Sequence, residues 1–191
     1  VAFSRNIYTW NEKIREEEGM LRLVMGLGTR AVDRVGDDYP RIVSLSAPLL
    51  RPEGSFEDQF KYSQRFVDVL NLETRSIESV HFVDLINEIR DSTDPNADFS
   101  YAVSQIEDEQ FVNPLLDPGR YEYGSAAITF DTLLRDKKFC RRMVALLSEL
   151  ETVYKTPVDI EFAYQDEKFY LLQCRPLFQN STYFQKEVSI P

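Results

Sequence analysis

Two carboxylates, an amide and a guanidinium sit at short, regular spacing in PVDIEFAYQDEKFYLLQCRPL, residues 157–177. Asp159 and Glu161 are separated by one residue, as are Gln173 and Arg175. Residues at that spacing in a strand point to the same face, and both runs read as strands joined by a charged turn. A turn of odd length sets Glu161 opposite Gln173 and Asp159 opposite Arg175, and buries Ile160, Phe162, Leu172 and Cys174 together. An even turn slips the register by one and sets carboxylates opposite Leu172 and Cys174. Burying an unpaired charge is too costly for that, so core burial by itself favours the odd register.

The chemistry that such a set suits is the handling of a magnesium nucleotide. Mg²⁺ takes hard oxygen ligands from one or two carboxylates plus substrate phosphates, and an amide carbonyl can complete its shell. The planar fork of Arg175 matches a phosphate. The alternative is an edge hairpin with a surface Asp–Arg pair and a solvated Glu, and the pattern alone leaves both open.

The elements that must position these residues are legible in outline. Strands are expected at residues 1–3, 20–25, 41–45, 64–72 and 99–106, the last two from alternation. Residues 81–89 place Phe82, Leu85, Ile86 and Ile89 on one helical face, and 138–154 carry Phe139, Met143, Leu146, Leu147, Leu150 and Val153 as a second apolar stripe. Gly26-Leu27-Gly28 marks a tight turn. It lacks the spacing of either common phosphate-binding glycine loop, so a structural turn is the better reading than a phosphate cradle. Residues 91–98 (DSTDPNAD), Asn113-Pro114 and Asp117-Pro118-Gly119 read as loops and turns. The class is mixed α and β.

At 191 residues, 43% hydrophobic and 13% aromatic, the chain buries a real core. Thirty-two acidic against 22 basic residues give a formal charge of −10. That repels a nucleic-acid backbone unless basic side chains cluster, and Lys137-Lys138 with Arg141-Arg142 reads as the solvated side of a helix. No apolar run is long enough to span a membrane and no secretion signal opens the chain. Cys140 and Cys174 make neither a disulfide framework nor a zinc site, which points to a reducing cytoplasm. The start at VAFSRN, without methionine and in mid-strand, points to a piece of a longer protein.

Three stretches together resemble one family. VAFSRN at 1–6, VMGLGTRAVDR at 24–34 and the hairpin at 157–177 are similar to the nucleotide-binding domain of phosphoenolpyruvate synthase and pyruvate phosphate dikinase, shared with rifampicin phosphotransferase. The hairpin is the most specific of the three: D-x-E, then Q-x-R-P twelve residues after the Glu, is the family's metal and phosphate signature. The resemblance implies an α+β fold, the C-terminal lobe of an ATP-grasp domain, with an antiparallel sheet flanked by helices. It implies ATP and Mg²⁺ as cofactors, with Glu161 and Gln173 holding the metal against the ATP phosphates. Arg175 would steady the transferred phosphoryl group. Asp159 would either orient the metal ligand or bind a second metal.

In that family ATP phosphorylates a histidine on a mobile carrier domain, which passes the phosphoryl group to pyruvate. His81, the sole histidine, opens an amphipathic helix and lacks the carrier's Gly- and Thr-rich setting. The upstream lobe of the ATP site and the carrier are expected elsewhere in the same protein, so the intact protein is expected to be an ATP-dependent phosphotransferase and this piece inactive alone. An antibiotic or a glucan as acceptor, or a degenerate lobe kept as a binding module, are the alternatives. The family's GLGE reads GLGT here, which removes the ground for giving Thr29 or Arg30 a role in the site. Residues 1–191 are taken as one lobe, with 57–124 as an elaboration special to a subgroup.

Overall fold

The computed structural model describes residues 1–32, 38–91, 99–112, 122 and 124–177. Residues 92–98 of the DSTDPNAD loop, the two Pro turns at 113–119, and Asp33 and Arg34 lie outside the described residues. The five-stranded antiparallel sheet that carries the hairpin runs in the order β10-β9-β1-β2-β3. Its strands are β1 (Ala2–Phe3), β2 (Met20–Leu23), β3 (Arg41–Ser44), β9 (Val158–Gln165) and β10 (Lys168–Pro176). A two-stranded sheet pairs β4 (Phe66–Asn71) with β5 (Ser76–His81). A three-stranded one sets β6 (Val103–Glu107) between β7 (Gln110–Val112) and β8 (Ala126–Ile128). The chain is α+β, with three antiparallel sheets among the described residues where the sequence suggested one.

The α-helices among the described residues are α1 (Thr29–Val32), α2 (Phe56–Lys61), α3 (Phe82–Asp91), α4 (Asp131–Arg135) and α5 (Lys137–Tyr154). The main one, α5, starts at Asp136, whose side chain accepts from the Lys138 amide at 2.8 Å. It buries Phe139, Met143 and Leu147 in the cluster that holds Val158, Ile160, Ala2, Leu21 and Val43 from one face of the five-stranded sheet. Full burial of such side chains contributes about 1.5–3 kcal/mol each. The stripe ends before Val153, which is 69% exposed: the helix there has run past the apolar face it covers. The helix α3 (Phe82–Asp91) buries Phe82, Val83 and Ile86 in the same cluster, as do Val67 of β4 and Val103 of β6. The middle of the chain therefore shares one core with the hairpin. His81 closes β5 immediately before α3, with its ring between Phe66 and Phe82 at centroid distances of 5.5 and 5.3 Å.

The GLG turn is a docking point. Gly26 takes φ +87° and bridges to Asp68 of β4, and the Leu27 amide donates to the Asp68 carbonyl at 2.8 Å. A Cβ on Gly26 would lie 2.6 Å from that carbonyl oxygen and would run into Val67. Gln64 stitches the same junction by accepting from the Met25 amide at 2.8 Å and donating to the Met25 carbonyl at 3.0 Å. We expect Gly26→Ala to destabilise by about 3 kcal/mol, from left-handed backbone plus overpacking. A urea midpoint equal to the parent's would show that the turn tolerates a side chain after all.

The terminal hairpin keeps the expected register by a route the sequence reading did not foresee. Its turn is even, not odd: Asp166 and Glu167 both take positive φ (51° and 59°), and Lys168 pairs with Gln165. A β-bulge then corrects the slip, because Leu171 pairs with Phe162 but Gln173 pairs with Glu161, leaving Leu172 as the extra residue. Strict alternation would have put Phe169, Leu171, Gln173 and Arg175 on one face. With the bulge, Phe169 and Leu171 join the face of Ile160 and Phe162, and the Phe162 and Phe169 rings stack at 5.2 Å. Leu172, expected in the core with Ile160, Phe162 and Cys174, is instead 65% exposed.

Candidate functional site

The face opposite α5 carries the four residues singled out by sequence. Asp159 pairs with Arg175 and Glu161 with Gln173 across β9 and β10. Facing side chains in antiparallel strands have Cβ atoms about 4.5–5.5 Å apart. Asp159 is 7% exposed, and both its oxygens accept from Arg175 Nε, at 2.8 and 3.0 Å. The Arg175 side chain is half exposed, so the pair is anchored in the sheet with its guanidinium reaching outward. Discounted for that exposure, it contributes about 1 kcal/mol or less to stability.

Glu161 is half-buried and Gln173 exposed. Neither side chain is engaged in a hydrogen bond among the described residues. A carboxylate and an amide held at that separation offer two hard oxygens, which suits Mg²⁺ and leaves the rest of its shell to phosphates and water. Among the described residues no group of three or more His, Cys, Asp or Glu is placed to hold a metal by itself. The donor set therefore fits a metal that arrives with a nucleotide better than a closed protein cage.

Two other features mark what this site does not include. Thr29 Oγ1 donates to Asp68, while Arg30 pairs with Asp38 at 2.8 Å and with Asp68 at 3.2 Å and donates to Ser79. Asp38 accepts as well from the Arg65 and Phe66 amides at 2.6 and 3.1 Å. Burial pushes the Asp68 carboxyl up, but the hydrogen bonds from Thr29, Ser79 and Arg30 outweigh it and hold its pKa below the ordinary value. The GLGT segment is thus locked to β4 and β5 and its polar groups are taken up. A cleft of about 540 Å³ lies elsewhere, between α5 and the residues flanking β1 and β9, spanned by the ion pair of Arg5 and Glu151. It contains none of the four hairpin residues. Its size suits a small molecule, but the hairpin is the better candidate, because in the cleft Arg5 is committed to Glu151, whereas on the hairpin the Glu161 and Gln173 oxygens are not taken up by hydrogen bonds among the described residues.

Sequence reasoning overlooked Arg22 and Phe3, which share the face of Asp159 and Glu161. The signal was present in MLRL: Leu21 and Leu23 face the core, so Met20 and Arg22 must project from the other side.

The α+β fold with antiparallel sheets is consistent with an ATP-grasp-like domain. The family model described as pyruvate phosphate dikinase, AMP/ATP-binding domain, matches residues 1–189, and the chain belongs to that family. It is an ATP-binding part of a pyruvate phosphate dikinase-like protein, in a family of phosphotransferases. No curated protein and no solved structure matches the chain. No helix among the described residues is long and apolar enough to cross a membrane.

Proposed function

We propose that this chain supplies the metal- and phosphate-binding side of the ATP site in a phosphoenolpyruvate synthase-like phosphotransferase. ATP would phosphorylate a histidine on a carrier domain of the same protein, on the way to pyruvate. The observation that carries the proposal is the bulged register, which gathers Asp159, Glu161, Gln173 and Arg175 on one face. Mg²⁺, when bound, would neutralise charge on the phosphates. Glu161 and Gln173 hold it, Arg175 donates to the phosphoryl oxygens, and Asp159 fixes the direction of Arg175. Phosphoryl transfer asks little covalent chemistry of a protein beyond such positioning and charge. The remaining donors would come from a lobe that closes over this face.

Residues 1–191 act in this scheme as one lobe, with 57–124 as its elaboration, which the single shared core supports. A reducing cytoplasm suits Cys140 and Cys174, both free. Cys140 is further protected, since burial pushes its thiol up to about 11.

Calorimetric titration of ATP into the intact protein, with and without Mg²⁺, tests the site. Gln173→Ala is expected to weaken ATP binding about tenfold or more at saturating Mg²⁺, and to match the parent when Mg²⁺ is absent. Equal affinities under both conditions would remove Gln173 from the metal shell.

A further inference from the structure

The register of the five-stranded sheet lines up residues in rows that cross it. One row on the face opposite α5 runs Gln173, Glu161, Val1, Arg22 and Ile42, and the next runs Arg175, Asp159, Phe3, Met20 and Ser44. Arg22 thus stands in the row of the two candidate metal ligands, two strands away from Glu161. Neighbouring strands lie about 4.8 Å apart. The guanidinium does not stay over its own strand: its carbon lies 5.6 Å from the centroid of the Phe3 ring on β1, the strand that pairs directly with β9. Arg22 therefore packs against a residue of β1 on the face that also carries Asp159 and Glu161.

Arg22 is also unusual in its burial. It is 8% exposed, in an internal strand, with Leu21 and Leu23 directed into the core on either side. The Tyr8 hydroxyl accepts from its Nη2 at 3.4 Å, so Tyr8 lies against one side of the guanidinium. Asp159, in the adjacent row of the same face, is 7% exposed. Arg22 and Asp159 therefore form a patch of charge withdrawn from water on one face of the sheet. In such a patch an arginine interacts far more strongly with a phosphate than it would in water.

A polyanionic phosphate chain needs more positive charge than this face otherwise offers. Asp159 and Glu161 are negative, the Arg175 Nε is committed to Asp159, and the chain as a whole carries −10. We propose that Arg22 is a nucleotide-binding residue whose guanidinium contacts the phosphate chain of the ATP that Glu161 and Gln173 hold through their metal. The proposal rests on the assignment of the ATP site to this face. It widens the site from one hairpin to four strands.

The test is the affinity of the intact protein for ATP and for AMP at saturating Mg²⁺, measured for the parent, Arg22→Gln, Arg22→Lys and Glu161→Ala. Arg22→Gln is expected to weaken ATP about 10–100-fold, as loss of a buried charge-assisted contact does, while AMP changes less than about twofold. Arg22→Lys keeps the cation without the planar fork and is expected to fall between parent and Arg22→Gln. Parallel losses for ATP and AMP, an unchanged ATP affinity in either variant, or failure of both variants to fold would each assign Arg22 to structure and overturn the proposal. The parent and Glu161→Ala separate this outcome from the larger one. If the parent shows no Mg²⁺-dependent ATP binding, the ATP site on this face falls. If only Glu161→Ala loses it, the site stands and Arg22 is outside it.

Discussion

Replacing Glu161 by alanine in the intact protein is expected to lower ATP-dependent phosphoryl transfer by roughly 10³-fold, the scale set by removing one well-placed electrostatic group from a transition state. Stability should hardly move. Glu161 is half-buried on the face opposite the core, it has no side-chain hydrogen bond to lose among the described residues, and Asp159 lies on the same face one pair further along the strand. Removing one of two neighbouring carboxylates relieves repulsion, so the change in unfolding free energy should stay within about 0.5 kcal/mol and lean toward stabilisation. Rate assays and urea denaturation on the same preparation separate the two effects. Normal turnover, or a loss of activity that merely follows a loss of fold, would remove Glu161 from the reaction.

Arg30→Ala should show the reverse pattern, in which stability collapses for lack of a buried partner. Arg30 stands between Asp38 and Asp68, and all three are buried. Its removal leaves two buried carboxylates without their cation, though Asp38 keeps the Arg65 and Phe66 amides and Asp68 keeps Thr29 and Ser79, and is expected to destabilise by about 3 kcal/mol. The pH dependence carries a further signature. The folded-state pKa of Asp68 is depressed, so its contribution is present above the ordinary carboxylate pKa and is lost as pH falls through the folded value. In Arg30→Ala the Asp68 carboxylate loses one of the contacts that hold its pKa down and is easier to protonate, so the gap between parent and variant should narrow as pH is lowered from 7 toward about 4. A double variant, Arg30→Ala with Asp68→Asn, should lose less than the sum of the two singles. Strict additivity would mean that the network is not coupled.

These two residues also show how far the sequence could be read. Glu161 was legible because its spacing from Asp159, Gln173 and Arg175 is a local pattern, and burial of Ile160 and Cys174 alone fixes which residues oppose them. The means of reaching that register was not legible. FYLLQCR has no single alternation that buries its apolar residues and exposes its polar ones, and a bulge at Leu172 resolves the conflict only when the partner strand is known. The helices α3 and α5 announced themselves by apolar stripes. β5 and β8 did not, since SIESVH alternates weakly and AAI is short and small.

Arg30 and the GLG turn illustrate a second limit. Two glycines declare a tight turn, yet what Gly26 approaches is Asp68, far along the chain, and no local signal names it. The same distance hid the partners of Thr29 and Arg30. The departure from GLGE to GLGT leaves no family role to carry onto those positions, and the structure ties Thr29 and Arg30 into a network with Asp38 and Asp68.

The most direct test places the metal itself. Crystals of the intact protein grown with ATP and Mn²⁺ in place of Mg²⁺ would locate the ion by its anomalous scattering. An ion bridging one Glu161 oxygen, the Gln173 amide oxygen and the nucleotide phosphates, at ligand distances of about 2.1 Å, is the predicted result. A nucleotide-bound ion elsewhere, for example in the cleft beside Arg5 and Glu151, would contradict it.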